Sequence, residues 1–214
     1  MIKVILIDDH ELVRTGIRHI LESVADIEVV GEGETGEDAL KLTKKYKPDV
    51  LLMDLNMPGI GGIEATRRLM QTKPGVQIIV LTVHAEKPYP TQLFKVGAMG
   101  YMTKGCSAKE LLSAIRTVSK GERYLSTEVA KNLAMSLLPG AEDVPFDHLS
   151  HREMQVLLMI AEGENLANIS DKLCISPKTV STYRHRLFEK LDVSNDVELT
   201  HLAIKNGLLE DITV

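Results

Sequence analysis

The stretch "LLMDLNMPGIGG", residues 51–62, climbs as an apolar run to Asp54 and then breaks into a Pro58-Gly59 turn. Aspartate is a poor strand residue, and a carboxylate is costly to bury without a partner. Asp54 is therefore either a solvated strand end or part of a site.

The residues on either side set the architecture. IKVILI (2–7), IEVV (27–30), DVLLM (49–53), QIIVL (77–81) and MGYM (99–102) are short apolar runs. Helically spaced segments lie between and after them at 11–24, 36–46, 62–71 and 107–121, with a weaker one near 89–96. Near-continuous apolar strands alternating with helices indicate a parallel sheet covered on both faces. The expected fold is α/β, an open, doubly wound five-stranded parallel sheet occupying residues 1–121. Residues 122–147 read as a linker helix and a flexible linker. Ser126 or Thr127 is its candidate cap, and Leu133 and Leu137 mark its apolar side. The segment 138–147 has two prolines, a glycine and acids.

From residue 148 to 214 the pattern is purely helical, and four helices are expected. Ser150 with Glu153 forms a capping-box signature for 150–163. A short helix follows at 165–175, then Ser176-Pro177 supplies a cap and a first-turn proline for 177–190. The fourth helix covers 196–207.

A chain of 214 residues, 44% hydrophobic, is long enough for two small domains with buried cores. Its aromatic content of 4% argues against a large stacking surface for sugars or single strands. Cys106 and Cys174 lie outside any CxxC, which favours reduced thiols over a zinc site. The apolar residues before Asp8 are too few for a signal peptide or a membrane span, so a soluble cytoplasmic protein is expected.

In an open parallel sheet, ligands sit beyond the carboxyl ends of the strands. Asp8 and Asp9 end the first strand, Asp54 the third and Thr82 the fourth, while Lys104 follows the fifth. Each residue alone has an ordinary explanation: Asp9 as a helix cap, Lys104 as a solvated lysine, Thr82 as a β residue. Together they crowd three carboxylates at one sheet edge, and a hard divalent cation such as Mg²⁺ relieves that repulsion. His10 and His84 flank the cluster and read as structural or solvated. Lys44, Lys45 and Lys47 read as a solvated helix end.

ILIDDHELVR, VLLMDLNMPGIGG, VLTVHAE and GYMTKG resemble the receiver domain of two-component response regulators over residues 1 to about 121. The resemblance implies that Asp54 is the phosphoacceptor. It implies that Asp8, Asp9, Asp54 and the backbone carbonyl of Asn56 hold Mg²⁺. Thr82 and Lys104 would bind phosphoryl oxygens, and Tyr101 would move on activation. Two positions depart from the common receiver pattern. Gly105 stands where many receivers have proline, and Val83 stands where many have a smaller residue.

Residues 146–214 hold seven basic and eleven acidic side chains, yet residues 176–190 hold four of those bases against one acid, Glu189. Concentrated positive charge on one helix is the footprint of a nucleic-acid contact. On a helical wheel Val180, Leu187 and Leu191 fall within about 40° of one another and face inward. Lys178, Ser181, Thr182, His185 and Glu189 lie opposite, with Arg186 beside them; Arg184 lies near the apolar side. Residues 149–207 resemble the LuxR/NarL-type helix-turn-helix domain, most specifically in SPKTVSTYRHRLFEKL. This implies that helix 177–190 enters the major groove. Ser181, Thr182 and His185 would face bases, and Lys178, Tyr183, Arg186 and Lys190 would touch phosphates.

Over its full length the chain is similar to response regulators of the NarL/FixJ class, in particular the GacA/UvrY/LetA group. DDHELVRTGI, NMPGIGGIEATR, LTVHAEKPYPTQL and DVELTHLAIKNG carry that likeness. It implies a hybrid sensor histidine kinase of the BarA/GacS type as phosphoryl donor, and a homodimer on promoter DNA when phosphorylated. Genes for small regulatory RNAs would be the targets, with RNA polymerase as a candidate partner. Two other classes use the same parts: a Mg²⁺-dependent phosphohydrolase, and a phospho-switched protein-binding adaptor. The first would need an added acid/base residue and a substrate pocket, often with a cap insertion; neither is evident, and the βα loops are short.

Overall fold

A computed structural model describes residues 1–72, 75–82, 96–135, 145–206 and 208, in two compact units, Met1–Ala141 and Glu142–Val214. Val83, His84, Leu137 and most of the expected helix near 89–96 and of the linker 138–147 lie outside the described residues.

The first unit contains β1 (Ile2–Ile7), α1 (Glu11–Glu22), β2 (Ile27–Gly33), α2 (Gly36–Tyr46), β3 (Val50–Asp54), α3 (Gly61–Thr72) and β4 (Gln77–Thr82). It continues with β5 (Gly100–Thr103), α4 (Ala108–Val118), β6 (Tyr124–Leu125) and α5 (Thr127–Met135). All strand pairings are parallel, in the order β2-β1-β3-β4-β5-β6. Successive side chains of a strand point to opposite faces. Val4, Leu6, Leu52, Ile79, Leu81 and Met102 accordingly form one core with Leu21 of α1 and with Leu111, Ala114, Ile115 and Val118 of α4. Residues of the other register, Ile5, Ile7, Leu51, Met53, Ile78 and Val80, are also fully buried, with Ala39 of α2 and Ala65 and Leu69 of α3.

Among the described residues the sheet has six strands, where five were expected. Tyr124 and Leu125 pair with Gly100 and Tyr101. The Tyr124 amide donates to Met99 O at 2.9 Å, and the Ser126 amide to Tyr101 O at 3.2 Å. Two residues are too few for a periodic signal, but they satisfy backbone groups that an edge strand would leave open. Residues 122–135 are thereby tied to the sheet: the α5 side chain of Val129 is fully buried, and Ser126, not Thr127, accepts the Val129 amide at 3.4 Å.

The second unit contains a 3₁₀ turn (Pro145–His148) and four helices, α6 (His151–Ala161), α7 (Leu166–Leu173), α8 (Pro177–Leu191) and α9 (Asp196–Lys205). The expected caps are in place. Ser150 and Glu153 close a full capping box on α6, and the Ser176 hydroxyl accepts the Thr179 amide ahead of Pro177. Asn165 and Asn195 cap α7 and α9 in the same way. Cys174, in the left-handed region, makes the turn from α7 into α8. Phe146, Val156, Leu157, Ile169, Val180, Leu187 and Leu199 form the buried centre.

Candidate functional sites

The first site lies at the carboxyl ends of β1, β3 and β5. Asp54, the last residue of β3, is only 3% exposed, and Asp8 follows β1 at 4%. The Lys104 ammonium lies between them, 2.9 Å from Asp54 Oδ2 and 2.8 Å from Asp8 Oδ2. The other Asp54 oxygen accepts the Leu55 amide at 2.7 Å. Lys104 is held from its own backbone, whose N–H donates to Thr82 O at 2.7 Å.

Burial pushes the Asp54 carboxyl up to about 6, against the pull of the Lys104 ammonium. Burial also works against the Lys104 charge, but Asp54 and Asp8 outweigh it and hold that group above its ordinary value. Desolvation and pairing thus oppose one another here, and the lysine retains its proton.

Four side chains converge as potential metal ligands. One donor atom from each of Asp8, Asp9, His10 and Asp54 lies within 4.8 Å of every other. This oxygen-rich set fits a hard divalent cation. Asn56 sits half-buried two residues past Asp54. Thr82 and Tyr101 are fully buried in adjacent strands, Thr82 opposite Thr103 and Tyr101 opposite Val80. Asp9 is not a helix cap: His10 occupies that position and makes no side-chain capping bond. Lys44, Lys45 and Lys47 are exposed at the end of α2, as expected.

Sequence reading missed three supports of this site. Arg14 Nη1 donates to the Asp8 backbone oxygen at 2.6 Å, and its Nη2 pairs with Glu34 at 2.9 Å. Glu37 accepts the Ile60 amide at 3.2 Å and so holds the β3–α3 loop to α2. Gly62 lets α3 approach the strand end, since a Cβ there would lie 2.1 Å from Asp54 O. The Gly-Gly pair was the available signal for that approach; no local pattern marked Arg14 or Glu37. Gly62→Ala is expected to destabilise the first unit by roughly 2 kcal/mol, because backbone and not a flexible side chain must move. An unchanged urea midpoint would count against so tight a contact.

The second site is the exposed face of α8. Lys178, Ser181, Thr182, His185, Arg186 and Lys190 are exposed, Tyr183 is intermediate, and Val180, Leu187 and Leu191 are buried. Two of the helix's four cations are engaged within the domain. Arg184 makes a forked pair with Asp196 at 2.7 and 3.0 Å and stacks on Phe188, so its head turns inward to α9. Lys190 donates to the buried Glu153 carboxylate at 2.7 Å and to His148 O at 3.3 Å.

Burial opposes the Glu153 charge, yet Lys190 and the Ser150 amide together hold its carboxyl below the ordinary value. Lys190→Gln is expected to cost about 1–2 kcal/mol of domain stability, a charged hydrogen bond discounted for the lysine's partial exposure. Chemical denaturation of the variant checks it; no change would mean that Glu153 is satisfied by its cap alone. The Thr182 hydroxyl donates to Lys178 O at 2.9 Å, which leaves it free only to accept.

Among the described residues no helix is long and apolar enough to cross a membrane. Residues 4–116 match the response regulator receiver domain family, and residues 147–203 match the luxR family of bacterial regulatory proteins. The chain is 53% identical to the response regulator GacA of Pseudomonas aeruginosa over 211 residues, which cover 98% of this chain and 99% of that protein. It is 51% identical to the response regulator UvrY of Escherichia coli K12 over 209 residues, 97% and 96% of the two chains. Among solved structures it is similar to RcsB from Salmonella enterica serovar Typhimurium, bound to promoter P1flhDC in the presence of the phosphomimetic BeF3⁻. That similarity has a TM-score of 0.70 at 31% identity and covers 94% of this chain and 97% of that one. The chain therefore belongs to the two-component response regulators that join a receiver domain to a LuxR-type DNA-binding domain.

Proposed function

We propose that Asp54 accepts a phosphoryl group from a sensor histidine kinase, and that this promotes dimerisation and promoter binding through α8. The observation that carries the reading is Lys104 bridging two buried carboxylates at the end of a parallel sheet. With a pKa of about 6, Asp54 is ionised at neutral pH and available as a nucleophile. One Asp54 oxygen bonds to phosphorus as the P–N bond of a phosphohistidine breaks, and the imidazole takes the electron pair. Such a transfer is governed by in-line positioning and charge neutralisation. Lys104 supplies one positive charge to the phosphoryl oxygens, and Thr82 a hydroxyl. Asp8, Asp9, Asp54 and the Asn56 carbonyl would hold Mg²⁺, which when bound neutralises charge on the transferring group. Tyr101 is the candidate packing element that responds to Thr82.

On α8, Lys178 and Arg186 are the main phosphate contacts. Lys190 contributes through the N–H not used within the domain, and Tyr183 through its polar tip. Ser181, Thr182 and His185 read base edges, with Thr182 restricted to accepting from an exocyclic amine. The likeness to GacA and UvrY supports, as parts of this reading, a BarA/GacS-like hybrid kinase as donor, promoters of small regulatory RNA genes as targets and a cytoplasmic location, with RNA polymerase as a further partner. The receiver would act as a phosphoacceptor and not as a turnover enzyme.

Intact mass after incubation with Mg²⁺ and acetyl phosphate tests the first step. Wild type gains one phosphoryl group and Asp54→Ala gains none. An adduct on both proteins would move the acceptor elsewhere.

A further inference from the structure

We propose that His10 makes the acidic site a mixed oxygen–nitrogen cation site, which takes a late first-row divalent ion such as Ni²⁺ in competition with Mg²⁺. The inference rests on the receiver reading above. It starts from geometry: His10 Nδ1 lies 2.9 Å from Asp9 Oδ1 and 3.3 Å from Asp8 Oδ1. Two donors on opposite sides of an ion with bonds of ~2.1 Å stand ~4.2 Å apart. The separations of up to 4.8 Å across the four-residue set thus close on one ion with movements below about 1 Å.

The backbone for this is already held. The His10 amide donates to Asp8 Oδ1 at 2.9 Å, and Arg14 fixes the Asp8 carbonyl at 2.6 Å. The His10 side chain is 63% exposed, so its ring can turn without disturbing the core.

The chemistry then separates two classes of ion. Mg²⁺ demands oxygen ligands and retains water, so a nearby imidazole adds little to its binding. Imidazole nitrogen suits Zn²⁺, Ni²⁺ and Cu²⁺, whose affinities for such sites exceed that of Mn²⁺. Any competition from the Lys104 ammonium, which pairs with Oδ2 of both Asp8 and Asp54, is common to both ions. Beyond the intrinsic affinity order of the ions, the discrimination supplied by this chain is the nitrogen of His10. A purely structural His10, hydrogen-bonded to Asp9, would affect both ions alike.

The test uses the full chain with Mn²⁺ as the probe. Free Mn²⁺ is read by electron paramagnetic resonance, and the fraction that Mg²⁺ displaces defines the site. That fraction is then displaced with Ni²⁺ in wild type, His10→Ala and His10→Asn. The Ni²⁺ concentration for half-displacement is expected to rise ~10-fold or more in both variants, while the Mg²⁺ value stays within about twofold. Equal Ni²⁺ values in all three proteins, or parallel shifts for both ions, would overturn the inference and leave the receiver reading standing. The absence of any Mg²⁺-displaceable Mn²⁺ in wild type would overturn both.

Discussion

Asp54→Asn is expected to be more stable than wild type at pH 8, by about 3 kcal/mol in metal-free buffer. The sign follows from the raised pKa. The unfolded carboxyl titrates near 3.8 and the folded one near 6. Between those values the folded protein retains a proton that the unfolded chain has lost. Its contribution to stability is therefore fully present below about 3.8 and is lost as pH rises through about 6. The Lys104 pairing is already included, because the shift is net of it. Asparagine carries no charge at any of these pH values, so the advantage of the variant should vanish near pH 4. Urea midpoints at pH 4, 6 and 8 measure this directly. A gap that is constant with pH, or reversed, would show that Asp54 is well solvated or that Lys104 compensates it fully. Saturating Mg²⁺ should narrow the gap at pH 8, since an ion that binds only the folded wild-type site stabilises it.

The second large effect concerns DNA. In the proposed DNA-bound dimer, replacing both Lys178 and Arg186 by alanine would remove four phosphate contacts. The slope of log affinity against log salt should become shallower by about 3.6, and affinity near 0.15 M salt should fall about 1,000-fold. Lys190→Gln should change that slope less, because its ammonium is engaged by Glu153 and His148. Fluorescence anisotropy on a promoter fragment at several salt concentrations separates the cases. An unaltered slope in the double variant would remove α8 from the phosphate backbone and favour the protein-binding adaptor. The acidic balance of residues 146–214 makes this dependence on few cations steep, as little other positive charge is available.

Alternating strand and helix periods, the strand-terminal acids and the Ser-Pro cap of α8 were legible without coordinates, because each depends on neighbours a few residues apart. So was the inward face Val180, Leu187 and Leu191, which helical geometry determines by itself. Other features required distant segments to meet. Lys104 reaches Asp8 and Asp54 across most of the first unit; burial at that meeting point raises the Asp54 pKa against the pull of Lys104, and the two carboxylates keep the lysine charged. The sixth strand exists because Tyr124 and Leu125 find an open edge, not because two residues favour extension. The division of labour on α8 was only partly legible: the helical wheel set Arg184 near the apolar side but gave no partner for it or for Lys190. Arg184 and Lys190 resemble Lys178 and Arg186 in sequence, but Asp196 and Glu153 lie within reach of the first pair. Local spacing determined which groups this protein carries; burial and long-range charge pairing, which act through space, decided which of them are engaged within the fold and which remain exposed on α8.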